Sequence, residues 1–148
     1  MSTFKSEKDR EEIVEALQLN MNEEINATLQ YICHRISAKA LSAVIAESFK
    51  SAALDEMSHI LYFSDLVEKY GGTPHFQEWQ IDKSGELTTM LEADIQLEKK
   101  AKERYRKQLD RFKDYPELTV IIDSVLSDEN DHEEVFTRYL YRSQGRCA

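Results

Sequence analysis

The chain has 148 residues, 28 acidic against 19 basic, for a formal net charge of −9. That length is enough for one domain with a substantial core and no staples, and the charge excludes nucleic acid and an anionic membrane surface as partners, because both would repel it. Only four Gly and two Pro, with 32% of residues charged, read as few turns and long helices, so the expectation is an all-α single domain over residues 1–148.

The N-terminal stretch MSTFKSEKDREE is polar and has no apolar leader-like run, and no segment approaches the roughly 20 apolar residues that span a bilayer. A soluble, cytoplasmic protein is expected. Ser6 with Asp9 makes an N-cap arrangement, after which Ile13, Leu17, Ile25, Leu29, Ile32 and Ile36 recur at helical spacing. The first helix is expected over about 6–38. A second, about 41–70, carries Val44, Ile45, Phe49, Ala52, Leu54, Leu61, Leu66 and Val67 and stops where Gly71-Gly72 allows a left-handed cap. A third, about 84–113, carries Leu87, Leu91, Ile95, Leu97, Ala101, Tyr105, Leu109 and Phe112. Pro116 suits the first turn of a fourth helix, about 117–142, and the tail SQGRCA should fray.

The connections choose the topology. Helices one and two, and helices three and four, are joined by a few residues each and must be antiparallel hairpins. The middle link is long enough, at about 3.3 Å per residue, nearly to run the bundle's length. It should start the third helix parallel to the second, with Phe76, Trp79 and Ile81 pinning it to the surface. The basic window from Lys99 to Lys113 reads as a solvated helix face. Cys33 and Cys147 are far apart and form no CxxC, so both read as reduced thiols.

Two stretches carry the chemistry: DEMSHI, with Glu56 and His59, and DENDHE, with Glu129 and His132. Residues three apart share a helix face, so each pair can converge on one ion. Each pair lies near mid-helix, as do Glu24 and Glu98 on the other two helices. Four helices therefore bring Glu24, Glu56, His59, Glu98, Glu129 and His132 to one level. Four buried carboxylates need cations to offset their repulsion and desolvation, and two divalent ions fit the charge. The oxygen-rich donor set suits iron or manganese better than structural zinc. Glu56 and Glu129 are read as bridges, the other four as terminal ligands. Asp55 and Asp128 can accept a hydrogen bond from a ligand imidazole. A Tyr follows each first Glu by seven positions, at Tyr31 and Tyr105, which together with the near-equal Glu-to-Glu spacings suggests a duplicated hairpin.

The segments EEINATLQY, LDEMSHILYF, DIQLEKKAK and LSDENDHEEVF resemble the ligand segments of the ferritin-like di-iron superfamily, and within it most resemble bacterioferritin. That resemblance implies a four-helix bundle with a long crossover and a ferroxidase centre of two iron ions. It implies Fe(II) oxidised by O2 or H2O2, storage or detoxification of iron, and a homodimer or larger homo-oligomer. It also implies haem b, because Met57 stands where bacterioferritins place a haem-ligating methionine. No fifth helix follows the fourth, so the expected assembly is a dimer, a smaller oligomer or an altered cage. A rubrerythrin-like peroxide-scavenging protein is the alternative, against which stands the lack of a Cys-rich electron-transfer module. A structural bundle with a polar register layer is the third reading. His34 and His75 read as ordinary helix and loop histidines, Trp79 as cover for the crossover, and Tyr31 and Tyr105 as packed groups beside the ligands.

Overall fold

The computed structural model describes residues 4–145. Four helices follow one another: α1 (Glu7–Ala38), α2 (Ala43–Lys69), α3 (Leu87–Arg111) and α4 (Pro116–Ser143), with no β-sheet strand among the described residues. Each boundary has a local cause. Ser6, in extended backbone, accepts the Asp9 amide at 3.0 Å and caps α1. Ser42 does the same for Ile45 at 3.2 Å, so α2 starts after Ser42, not at Leu41. Gly71 takes φ 84 to end α2, and the Gly72 amide reaches the Val67 carbonyl at 2.9 Å. A turn in which the Glu86 amide donates to Ser84 Oγ at 3.3 Å delays α3 to Leu87. Pro116 opens α4, where its missing N–H has no partner to lose. Gln144 and Gly145 close α4, the latter at φ 73; the rest of the tail, with Cys147, lies outside the described residues. Cys33 is a half-buried free thiol.

The hairpins form as expected, and α1 packs against α3 and α2 against α4. Cross-helix pairs set the directions: His34 meets Asp94 while Asn20 meets Gln108, so α3 runs antiparallel to α1 and parallel to α2. The crossover between α2 and α3 therefore climbs the length of the bundle along α1. It is held differently from the sequence expectation. Phe76 and Trp79 point outward, 66% and 37% exposed, and do not cover the core. The grip comes instead from four amides one turn apart on α1. Gln18 donates to the Thr73 carbonyl (2.7 Å) and accepts from the His75 amide (3.2 Å); Asn22 donates to the His75 carbonyl (3.0 Å) and accepts from Gln77 (3.0 Å). Asn26 then accepts from Gln80 at 2.7 Å and Gln30 from Asp82 at 3.0 Å. An extended strand has no internal hydrogen bonds, so these side chains satisfy its main chain.

Two apolar clusters fill the bundle. One is built around Phe63, Ile13, Leu17 and Ile122, the other around Phe49, Met90, Leu91 and Phe136. Each such fully buried side chain contributes about 1.5–3 kcal/mol. Between the clusters lies a polar layer. A further difference concerns the apolar stripe of the first hairpin: Ile32, Ile36, Val44, Leu54 and Leu61 are exposed, not core. No helix among the described residues is long and apolar enough to cross a membrane.

Candidate metal centre

All six residues picked from the sequence meet in the polar layer. Glu24, Glu56, His59 and Glu129 offer donor atoms within 4.8 Å of one another, and so do Glu56, Glu98, Glu129 and His132. Glu56 and Glu129 belong to both groups. All six are buried, on four different helices, because α1 to α4 cross this level near their midpoints.

The imidazoles present Nδ1 inward and Nε2 outward. His59 Nδ1 lies 3.2 Å from Glu56, 3.5 Å from Glu129 and 3.6 Å from Glu24. His132 Nδ1 lies 3.0 Å from Glu56, 3.4 Å from Glu98 and 3.7 Å from Glu129. Outward, His59 Nε2 meets Asp128 and His132 Nε2 meets Asp55, each at 2.8 Å. Each aspartate thus serves the histidine of the facing helix. The tyrosines cross over as well: the Tyr31 hydroxyl donates to Glu98 and the Tyr105 hydroxyl to Glu24.

Four atoms at the centre of this layer, Glu56 Oε1, Glu98 Oε2, Glu129 Oε1 and His132 Nδ1, are buried without a hydrogen bond of good geometry. Buried carboxylate oxygens left in that state cost several kcal/mol or take up protons. The electrostatics show the second outcome. Burial pushes Glu98 up to about 7, and burial with the Glu56 and Glu98 charges raises Glu129 well above the carboxylate range. Burial also opposes the charge on Glu56 and His132, but their mutual approach wins, holding Glu56 down at about 2 and His132 up at about 11. Carboxyls shifted toward their protonated forms stand beside the ionised Glu56, in a site whose oxygens and nitrogens converge as metal donors do. The donor chemistry fits two divalent cations, each with one imidazole and one terminal carboxylate and with two carboxylates between them.

One buried group was not anticipated. His34 is fully buried, its Nδ1 2.7 Å from Asp94 and its Nε2 3.0 Å from both the carbonyl and the carboxylate of Asp82 on the crossover. Gln30 completes Asp94 at 2.7 Å. Asp94 precedes Glu98 by one turn as His34 follows Tyr31 by one, a relation that acquires meaning only once α1 and α3 pack antiparallel. His75, by contrast, is exposed in the crossover, as read. The basic window is mostly solvated, except that Lys102 is buried between Asn130 (2.9 Å) and Glu133 (3.2 Å) and Arg104 is half-buried.

Comparison with known proteins agrees with the fold. Residues 14–144 match the family described as Ferritin-like domain. No curated protein sequence matches the chain. Among solved structures it is similar to the dodecameric thioferritin of Bacteroides fragilis, a bacterioferritin-related protein, at 19% identity and TM-score 0.82, over 92% of this chain and 88% of that one. It is similar to a ferritin-like di-iron carboxylate protein of Bacillus anthracis at 26% identity and TM-score 0.79, over 91% and 99%. It also resembles Rhodobacter capsulatus bacterioferritin, described with haem iron and a metal-free dinuclear site, at 20% identity and TM-score 0.78, over 90% and 87%.

Proposed function

The chain belongs to the ferritin-like domain family; on that premise we propose that it is a bacterioferritin-like ferroxidase, which binds Fe(II) as substrate in pairs and oxidises it with O2 or H2O2 for storage or detoxification. The observation that carries this reading is the pair of buried donor groups sharing Glu56 and Glu129, with inward atoms that have no hydrogen-bond partner. Manganese fits the same donors. Two ions together supply the two electrons that reduce O2 to H2O2, or H2O2 to water, without a one-electron oxygen species.

The residues have distinct tasks in this reading. Glu56 and Glu129 would serve both ions, Glu24 with His59 would hold one, and Glu98 with His132 would hold the other. Asp128 and Asp55 keep the proton on Nε2, leaving each Nδ1 lone pair for metal. Tyr31 and Tyr105 fix the orientation of the terminal carboxylates. Metal arrival displaces the protons held by Glu98, Glu129 and the imidazoles.

The exposed apolar stripe that includes Ile32, Ile36, Leu54 and Leu61 supports a homodimer or larger homo-oligomer, a second copy covering that face. The dodecameric state of the similar Bacteroides fragilis protein agrees with it. Met57 is 48% exposed on the same helix face as Leu54 and Leu61. That setting suits a thioether ligand to haem b at such an interface. Haem would add an electron-transfer group there.

The test is anaerobic addition of Fe(II), then O2 or H2O2, following oxidation and particle mass for wild type and Glu56→Ala. Fast oxidation lost in the variant supports the reading, and wild-type rates in it would sink it. Particles that retain ferric mineral favour storage; small oligomers that turn over peroxide with a reductant favour the rubrerythrin-like alternative. A haem absorption band lost in Met57→Leu tests the haem ligand.

A further inference from the structure

The two halves of the chain superpose in sequence: Glu24 answers to Glu98, Tyr31 to Tyr105, Glu56 to Glu129 and His59 to His132. The offset of the first two pairs carries Gln30 to Arg104, Asn20 to Asp94 and His34 to Gln108. In the fold these six residues form two trios on the α1–α3 seam, one on each side of the metal layer. Gln30 donates to Asp94 (2.7 Å), which faces His34 (2.7 Å). Arg104 donates to Asn20 (3.1 Å), which exchanges amide hydrogen bonds with Gln108 at 2.7 and 2.9 Å. The hydrogen-bond pattern is the same, but the charge is not.

On the Tyr31–Glu98 side stand a buried Asp94 and, at 3.0 Å from His34, Asp82. Two carboxylates face one imidazole, so this end is negative or at most neutral. On the Tyr105–Glu24 side the guanidinium of Arg104 lies 4.8 Å from the Tyr105 ring centroid, and no carboxylate lies within salt-bridge distance of it among the described residues. Glu23 and Lys100, lining the same crevice of about 30 Å³, have opposite signs. Buried Lys102 is offset by Glu133 at 3.2 Å.

We infer that the two metal positions are unequal, the one at Glu98 and His132 binding a divalent cation more tightly and filling first, and the one at Glu24 and His59 being weaker because Arg104 stands behind it. This rests on the metal-site reading above and adds an order of filling to it. The near-symmetric ligand set would otherwise make the two positions alike. One unit charge lining the same crevice as Glu24, reduced for the partial exposure of Arg104, changes divalent-cation affinity about tenfold.

The experiment uses Co(II) alone on the metal-free full chain. Calorimetric titration should resolve two steps about tenfold or more apart, and crystals grown with one equivalent should carry anomalous density mainly at Glu98 and His132. Arg104→Gln, which installs the residue found at the matching place in the first half, should strengthen the weaker step about tenfold and leave the stronger one near its wild-type value. Asp94→Asn should weaken the stronger step. Equal steps, first density at Glu24 and His59, or an Arg104→Gln titration identical to wild type would overturn the inference while leaving a two-metal site intact. Absence of any Co(II) binding would overturn the metal-site reading and the inference together.

Discussion

Nε2 of His59 on α2 lies 2.8 Å from a carboxylate oxygen of Asp128 on α4, and Nε2 of His132 on α4 lies 2.8 Å from Asp55 on α2. The aspartate beside each ligand glutamate therefore orients the imidazole of the opposite helix, locking α2 and α4 into one register. Asp128→Ala should free the His59 tautomer and lower metal affinity about 10–100-fold. Metal titration by calorimetry reads this, and an unchanged affinity would show the contact to be a surface pairing only.

The proton-filled layer gives the metal-free protein a pH dependence of known sign. A group whose folded value is raised stabilises fully below its unfolded value and loses that contribution as pH rises through the folded one. Glu98, raised to about 7, and His132, raised to about 11, both lose stabilisation on going from pH 5 to 8, and His34 and His59, also raised, have the same sign. Glu56, held at about 2, is lost only on strong acidification, below this range. Calorimetric Tm of the metal-free protein should therefore fall from pH 5 to 8. Saturating Mn(II) should reverse or flatten that slope, because binding displaces protons. A metal-free Tm that rises over this interval contradicts the assignment.

Asn22 is buried and satisfies two main-chain groups of the crossover. Asn22→Ala should cost about 1–3 kcal/mol in urea unfolding, since the strand's carbonyl and amide lose their partner. Trp79→Ser, at an exposed position, should stay within about 0.5 kcal/mol. The reverse ranking would return the crossover to an apolar attachment.

A Cβ at Gly72 would meet Val14 Cγ1 at 2.6 Å and Val67 Cγ1 at 3.0 Å. Gly72→Ala should destabilise by about 1–3 kcal/mol through overpacking where α2 ends against α1. Equilibrium unfolding checks it, and a neutral result would mean that the valines can turn aside.

Leu61 is 62% exposed. If a second copy covers it, Leu61→Glu should shift the size-exclusion mass toward the monomer without lowering helix content by circular dichroism. A monomeric wild type, or an unaltered mass in the variant, would remove this face from the assembly.

The helices and the six polar donors were legible in the sequence because both rest on local spacing: a 3.6-residue period, Ser and Gly at the ends, and ExxH near two midpoints. What stayed hidden depends on partners distant in the chain. Ile32, Ile36, Leu54 and Leu61 follow the helical period of a core face, and periodicity alone does not separate a face buried within one chain from one left for a second copy. Gln18, Asn22, Asn26 and Gln30 look like a solvated stripe until the crossover strand is laid against them. His34 shows no ligand spacing of its own; its meaning comes from Asp94 on α3 and Asp82 on the crossover, which only antiparallel packing of α1 and α3 brings close. The order of those two helices followed from the length of the link. The pairing of each histidine with the far aspartate did not, because from the sequence either aspartate was a candidate for either ring.

The amides of α1 hold main-chain atoms of the crossover, not its side chains. Apart from Asp82, whose carboxylate meets His34, and Gln77, whose side chain reaches Glu23, chemical identity along that strand is thereby uncoupled from attachment, while its length is not. Replacing the outward residues at 76, 78 and 79 leaves every rung in place, but adding or removing one residue puts the following rungs out of step. The strand behaves as a ruler with a blank face: its register is dictated from below, and what is written on its outer side is free to be chosen for whatever surface the assembled protein must present.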